Sequence, residues 1–257
     1  MTEDPLVIKV GNSKYNYGNC EKIGERPTME DATVIAGDVP AKNYCYFAVY
    51  DGHGGPHVSH YAGKHIHESF IRHFTKEKDV VKSINAAFEE VNKYLMEKWP
   101  EEGCTAGVII VSDDKVYSVN LGDVRAVMVY PDGKVERLSY DHKASDPEEK
   151  KMIEKSGFKV IRNRILGILA VSRALGDGEF EGIVGTETYV TEKERVDGAK
   201  VILACDGIWD VLSDEEAGKI AREINDPKEA AKAIVNKSLE KDTTDNVSCI
   251  VIDLTSK

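Results

Sequence analysis

Two tight turns between short apolar runs constrain the fold of this 257-residue chain more than any other feature. Asp113-Asp114 joins the apolar runs on either side of it, and Pro131-Asp132-Gly133 joins the next two, within residues 106–138. Short turns of this composition connect antiparallel strands, whereas parallel strands need a long crossover. The passage therefore predicts antiparallel sheets and argues against a doubly wound parallel fold.

Helices are predicted on both sides of this β passage. Residues 56–99 read as two helices in a row, the second with apolar side chains at the 3.6-residue period. Further along the chain, Asp146, Ser213 and Asp226 each precede a helix-like segment with a glutamate at the third position, which is typical of a helix start. No repeat or linker-like tract interrupts the sequence, so residues 1–257 are predicted to form one domain.

The composition narrows the classes of partner. A net charge of −11 argues against nucleic acid or an anionic membrane as the main partner, because both select basic surfaces. The five cysteines include no Cys-x-x-Cys pair, and no apolar run approaches the roughly 20 residues of a membrane helix. We expect a monomer in a reducing compartment, cytoplasmic or nuclear.

Three carboxylates stand at the ends of apolar, β-prone runs. Residues 44–50 lead into Asp51-Gly52, residues 201–205 lead into Asp206-Gly207, and Asp245 precedes a third run. Two carboxylates about 4 Å apart repel by roughly 4 kcal/mol at an effective dielectric near 20, so a cluster of them needs a cation or shared protons. Oxygen-only ligands favour Mg²⁺ or Mn²⁺. A single Asp-Gly is more often a turn with a capping aspartate, and that reading stays open for each acid taken alone.

Seven motifs occur along the chain in one order: residues 26–31, 51–55, 103–106, 120–123, 169–177, 206–210 and 245–246. With these motifs in this order, the chain resembles the metal-dependent protein phosphatase family (PPM, type 2C), whose members cleave phosphoserine and phosphothreonine. The resemblance implies an α+β fold with a central sandwich of two antiparallel β-sheets flanked on both faces by helices, a four-layer αββα arrangement. It also implies a small flap-like excursion around residues 157–200 and phosphoprotein substrates.

The same resemblance implies two Mg²⁺ or Mn²⁺ ions per chain. Asp51 would be shared between them, Asp206 and Asp245 would complete one site, and Glu30 with the backbone carbonyl of Gly52 would complete the other. A hydroxide bridging the ions would attack phosphorus in line, because paired metals lower the pKa of a bound water to near neutral.

Further roles follow from the resemblance. Arg26 would bind phosphate, His53 would protonate the leaving oxygen as general acid, and Asp31 would accept a hydrogen bond from water at the metals. Asp123 and Asp210 would hold a third, weaker metal together with Asp206. The alternative for each is ordinary: a surface ion pair for Arg26, a loop contact for His53 and solvated or turn-forming acids for the rest.

The excursion carries the main departures from the family pattern. Arg173 and Asp177 are expected to anchor it rather than to contact substrate. The usual Glu-Pro-Glu element is replaced by Thr186-Glu187-Thr188, and Cys104 and Val124 stand where the family has serines. These changes bear on substrate preference.

Two other functions fit parts of the pattern. One is a non-catalytic module that binds phosphoproteins, which would be marked by a missing metal acid. The other is a different two-metal hydrolase, such as a phosphodiesterase, which a substrate panel would separate from a protein phosphatase.

Overall fold

A computed structural model describes residues 5–37 and 44–255. Two β-sheets pack face to face in it, and helices cover both outer faces, so the predicted αββα arrangement is confirmed. The strands are β1 Leu6–Val10, β2 Asn16–Lys22, β3 Ala32–Ala36, β4 Cys45–His53, β5 Gly103–Val111, β6 Lys115–Leu121, β7 Arg125–Val129, β8 Val135–Arg137, β9 Val160–Ile161, β10 Arg164–Ile165, β11 Leu175–Gly176, β12 Tyr189–Glu194, β13 Lys200–Ala204 and β14 Val247–Asp253.

Among the described residues, five of the six helices begin where the sequence predicts them, and the short helix at Asp206–Trp209 was not predicted. Side chains of Asp79, Asp146 and Asp226 accept hydrogen bonds from backbone N–H groups of the first helical turn, and Ser213 forms a complete capping box with Glu216. The helices are α1 His57–Glu77, α2 Val80–Lys98, α3 Pro147–Lys155, α4 Asp206–Trp209, α5 Asp214–Glu223 and α6 Pro227–Glu240.

Each sheet has one helix pair on its outer face. The first sheet has the order β1-β3-β4-β5-β6-β12, with β11 beside β5, and α1 and α2 pack on it. The second has the order β2-β14-β13-β7-β8, and α5 and α6 cover it. Between the sheets lies a separate apolar layer in which Phe47, Ile109, Met128 and Leu203 are fully buried.

Three details differ from the sequence-based prediction. β1 and β3 pair in parallel, so the first sheet is mixed. β4 does not stop at Tyr50 but pairs with β5 through His53, so Asp51 and His53 are held by the ladder itself. β12 is the edge strand of the first sheet and pairs with β6, so the irregular part of the 157–200 excursion ends before Tyr189.

The described cysteines are all free thiols, and four of the five are buried. Across residues 5–37 and 44–255, every helix is too short or too polar to cross a membrane.

Candidate active site

A pocket of about 380 Å³ opens at the edge of the sandwich where β4, α4 and the segment before β14 meet. We call it the acid pocket, because six carboxylates line it: Glu30, Asp51, Asp123, Asp206, Asp210 and Asp245. Arg26, Gly52 and His53 line it as well. The sequence placed all nine of these residues in the site, and the fold brings them together from well-separated parts of the chain.

The sheet register fixes the centre of the acid pocket. Asp51 pairs with Thr105 on β5, and Asp206 starts the short helix α4 directly after β13. One oxygen each from Asp51, Asp123 and Asp206 lies within 4.8 Å of the others. A Cβ on Gly207 would come 2.0 Å from the backbone oxygen of Asn246, so glycine is required for the Asp206 and Asp245 segments to approach this closely.

The pKa values of Asp51 and Asp206, at the centre of the acid pocket, are raised by burial and by neighbouring carboxylates. Burial, and then the charge of Asp206, raise the pKa of Asp51 well above its ordinary value. Burial, followed by Asp123 and Asp245, does the same to the pKa of Asp206. Such repulsion between buried like charges is relieved by a bound cation, and all the donors are hard oxygens. The residues therefore fit divalent metal ions of the Mg²⁺ and Mn²⁺ type.

Asp31 lies behind the pocket wall rather than on it. It is 1% exposed, and both of its carboxylate oxygens lack a hydrogen-bond partner of normal geometry among the described residues. One of its oxygens is within 4.8 Å of a ligand atom of Asp51 and of Cys205. Burial raises the pKa of Asp31 to about 7. An unsatisfied buried acceptor of this kind is suited to a water molecule or an ion in the pocket.

Asn246 ties the loop that carries Arg26 and Glu30 to the segment before β14. Its Oδ1 accepts a hydrogen bond from the Glu30 backbone N–H at 2.8 Å, and its Nδ2 donates to the carbonyls of Ile23 and Thr28 at 2.8 and 3.0 Å. The sequence motif included Asn246 but assigned it no role. Its position directly after a candidate metal acid was the only signal.

Arg26 contacts the acid pocket through its guanidinium. Nη2 donates to Asp245 Oδ2 at 2.7 Å, and the Arg26 side chain is 53% exposed. The guanidinium thus reaches the rim of the carboxylate cluster while keeping access to solvent.

His53 is held by Asp177. His53 Nε2 lies 2.8 Å from Oδ2 and 3.0 Å from Oδ1 of Asp177, whose side chain is 4% exposed. A Cβ on Gly103 would fall 2.3 Å from Asp177 Oδ2 and 2.4 Å from His53 Nε2, so Gly103 provides the space for this pair. Asp177 was expected to anchor the excursion rather than to contact substrate; the structure adds a direct contact with the site residue His53, which the sequence did not predict.

Arg173, by contrast, anchors the excursion as expected. Its Nη2 donates to Glu149 Oε1 at 2.6 Å, and its Nη1 donates to the carbonyl of Glu187 at 2.9 Å. Glu149 belongs to α3, so this ion pair links the helix to the end of the excursion.

Lys143 is a further site residue that sequence reasoning missed. Its Nζ donates to Asp210 Oδ1 at 2.9 Å and lies 3.5 Å from Asp123 Oδ2. Burial alone would lower the pKa of Lys143, but Asp123 and Asp210 outweigh it and raise the pKa. The two acids predicted for a third metal therefore already share a cation. A lysine after Asp141-His142 carries no signal that separates it from a surface lysine.

Comparison with known proteins identifies the class to which this fold and site belong. A family model described as protein phosphatase 2C matches residues 15–247. The chain belongs to the protein phosphatase 2C family.

Relatives and solved structures agree with this assignment. The chain is 38% identical over 254 residues to protein phosphatase 2C homolog 1 of Saccharomyces cerevisiae, covering 89% of each chain. It is 38% identical to the Schizosaccharomyces pombe protein of the same name, covering 90% of this chain and 70% of the relative. A crystal structure titled serine-threonine phosphatase 2C from Toxoplasma gondii matches with a TM-score of 0.81 at 19% identity over 97% of both chains, which shows the fold alone.

Proposed function

We propose that this protein is a Mg²⁺- or Mn²⁺-dependent protein phosphatase that hydrolyses phosphoserine and phosphothreonine. The observation that carries the proposal is the convergence of Asp51, Asp123 and Asp206 within 4.8 Å, in a pocket also lined by Arg26 and His53. Acids that can hold metals, a phosphate-binding cation and a proton donor are the three parts that metal-assisted phosphate ester hydrolysis needs.

The acid pocket would hold two metal ions. Asp51 would contact both, Asp206 and Asp245 one of them, and Glu30 and the carbonyl of Gly52 the other. Bound there, the ions would neutralise the carboxylate repulsion and supply a water of lowered pKa for in-line attack on phosphorus. Asp31 would accept a hydrogen bond from water behind Asp51, which would satisfy its unpaired oxygens.

Arg26 would orient the phosphate group. Its guanidinium fork matches the spacing of phosphate oxygens, and its exposure leaves it free to turn from Asp245 toward an incoming ester. In that position it would also offset the negative charge that develops on the phosphoryl oxygens in the transition state.

His53 would protonate the leaving serine or threonine oxygen. Because Asp177 occupies Nε2, the ring nitrogen left to give its proton to the leaving group is Nδ1. Asp177 would fix the ring orientation and stabilise the imidazolium that carries both protons.

Lys143 makes a third metal at Asp123, Asp206 and Asp210 less favourable. A third ion would have to displace the Lys143 ammonium from Asp123 and Asp210 or share the space with it. We therefore place this site as the weakest of the three.

The test is a panel of phosphoserine and phosphothreonine peptides, assayed with manganese and then magnesium, with bis-aryl phosphodiesters in parallel. We expect hydrolysis of the peptides, none of the diesters, and loss of turnover with EDTA. Unchanged turnover in EDTA would reject the metal mechanism. A folded, metal-loaded protein without turnover would indicate a phosphoprotein-binding module, and preference for diesters would indicate a phosphodiesterase.

A further inference from the structure

A short hairpin at the rim of the acid pocket has a charge opposite to that of the rest of the chain. It is formed by β9 and β10, and we call residues 158–168 the basic hairpin. Lys159, Arg162 and Arg164 are exposed on it. Residues 155–173 contain no Asp or Glu, although the chain as a whole has a net charge of −11.

The cations of the basic hairpin are not neutralised by the fold. Lys159, Arg162 and Arg164 form no ion pair with any residue in 5–37 or 44–255, whereas the neighbouring Arg173 is paired with Glu149 at 2.6 Å. Arg164 uses Nη1 to donate to the carbonyl of Ile168 at 2.7 Å, which steadies its side chain without cancelling its charge. Positive charge is thus available to a ligand.

Exposed apolar side chains accompany these cations. Ile161, Leu166 and Ile168 are 48%, 42% and 63% exposed. Among the described residues, the other large hydrophobic side chains of comparable exposure lie outside the basic hairpin: Val10, Tyr94, Met152 and Tyr189. Several exposed apolar side chains on one hairpin beside a pocket favour a binding surface.

The basic hairpin rests on a small core of its own. Ile165 is fully buried and packs in a cluster with Ile153, Leu169, Val171 and Val184. The exposed side chains are therefore displayed on a supported β-hairpin, and replacing them leaves that core intact.

The turn of the basic hairpin places an arginine, Arg162, in a left-handed backbone conformation that disfavours this residue. Ile161 pairs with Arg164, so Arg162 and Asn163 form a two-residue turn, and both have positive φ, 51° and 63°. Asparagine adopts this left-handed conformation readily, whereas arginine is strained in it. A cation kept at a strained, exposed position is better explained by a ligand than by stability.

The position of the hairpin indicates which ligand it meets. Arg164 and Leu169 line the acid pocket together with Asp51 and His53. A phosphorylated side chain seated in the pocket would therefore leave its flanking peptide chain against the basic hairpin.

Resting on the proposed function, we propose that the basic hairpin binds acidic and aliphatic residues flanking the phosphorylated residue. The protein would then prefer phosphoprotein segments rich in Asp and Glu. Charge at the rim of an interface of this kind mainly sets specificity and salt dependence.

The first experiment compares two phosphothreonine peptides of equal length, one flanked by Asp, Glu and Leu and the other by Asn, Gln and Leu. The wild type should favour the acidic peptide about tenfold in kcat/KM, mainly through KM, as expected for two or three exposed charge pairs. In the Lys159→Gln/Arg162→Asn variant that ratio should fall to about one to two. Raising the ionic strength from about 0.1 M to about 1 M should lower the wild-type ratio similarly, because the Debye length shortens from about 10 Å to about 3 Å.

Lys219→Gln/Lys232→Gln is the matched control. It removes the same number of charges from exposed sites on α5 and α6 and should keep the tenfold ratio. An unchanged ratio in the hairpin variant, or an equal loss in the control, would overturn the inference. Asparagine at position 162 suits the left-handed turn, so thermal unfolding should show a hairpin variant at least as stable as the wild type.

Equilibrium binding separates this inference from the proposed function. Fluorescence anisotropy would be recorded for both labelled peptides and for an RNA oligonucleotide of equal charge. Hairpin-dependent binding of the acidic peptide without any hydrolysis would mean that the proposed function fails while the inference holds. Three outcomes would each overturn the inference. The protein could hydrolyse peptides but bind both labelled peptides equally, it could fail to bind the acidic peptide, or it could bind the oligonucleotide more tightly than the acidic peptide.

Discussion

The carboxylates of the acid pocket come from segments spread between Glu30 and Asp245, whereas the cations of the basic hairpin lie between Lys159 and Arg164. Five of the six carboxylates in the first group are buried or half-buried, and Asp210 is exposed; the cations of the second group are all exposed on one hairpin. Buried like charges raise one another's pKa values and require a counter-ion, while exposed charges are solvated and screened. From this comparison we expect substitutions in the acid pocket to abolish the proposed hydrolysis, and substitutions in the basic hairpin to change which phosphopeptides are preferred.

The largest effect is expected from Asp206→Asn. Under the proposed function this change removes one metal ligand, so kcat/KM on phosphopeptides should fall by about a thousandfold or more. The same change removes a buried repelling charge, so the metal-free protein should become more stable to heat. Calorimetric titration with Mn²⁺ and thermal unfolding in EDTA check both statements, and full activity with unchanged Mn²⁺ binding would contradict them.

Asp177→Asn should produce the next largest loss. Without the carboxylate at Nε2, the ring of His53, the proposed general acid, loses the contact that orients it, so kcat on phosphoserine peptides should fall about a hundredfold with little change in KM. Aryl phosphates leave without needing a proton and should lose less than about threefold.

His53→Gln is the companion variant for this prediction. The double variant with Asp177→Asn should be no slower than His53→Gln alone, because residues acting as one unit are not additive. Equal losses on both substrate types would show that Asp177 has only a structural role.

A smaller effect, on stability, is expected from His142, which lies at the junction between the acid pocket and the basic hairpin. His142 is 1% exposed, accepts a hydrogen bond from the Gly122 backbone N–H at 3.2 Å, and its carbonyl accepts from Ser172. Burial, and then Arg173, lower the pKa of His142 from 6.5 to about 4. Between these values the unfolded chain binds the proton and the folded one does not, so stability falls as pH falls.

From pH 7 to pH 5 this one group should cost about 2 kcal/mol of unfolding free energy. The unfolding free energy can be measured with urea, in EDTA, at both pH values. Between pH 7 and pH 5 it should fall by about 2 kcal/mol more for the wild type than for His142→Gln. Parallel curves for the two proteins would refute the assignment.

The smallest effect is expected in the hairpin turn. Arg162→Asn should raise the unfolding free energy by about 0.5 kcal/mol, because asparagine tolerates the left-handed region better than arginine. Lys159→Gln, one residue before β9 and without this strain, is the matched comparison and should leave stability unchanged. A destabilised Arg162→Asn protein would contradict the strain argument.

Local patterns were enough to predict five of the six described helix starts, the hairpins between residues 106 and 138 and the acids at strand ends. Asp51 and Asp206 could be predicted because an apolar run followed by Asp-Gly indicates, from neighbouring residues alone, a strand that ends in a carboxylate. The contact between His53 and Asp177 could not, since it depends on Gly103 and on the path of an irregular segment. Lys143 between Asp123 and Asp210, and the parallel pairing of β1 with β3, were missed for the same reason: partners distant in sequence decide them.

The position of β14 has a consequence for biosynthesis. This strand lies between β2 and β13 inside its sheet, yet it leaves the ribosome after every other strand of that sheet. The first sheet can assemble on the nascent chain once β12 has emerged, whereas β2 must wait without its neighbour. Translation arrested before Asn246 would leave the Arg26 loop untethered, so the proposed hydrolytic activity should appear only after β14 has been translated.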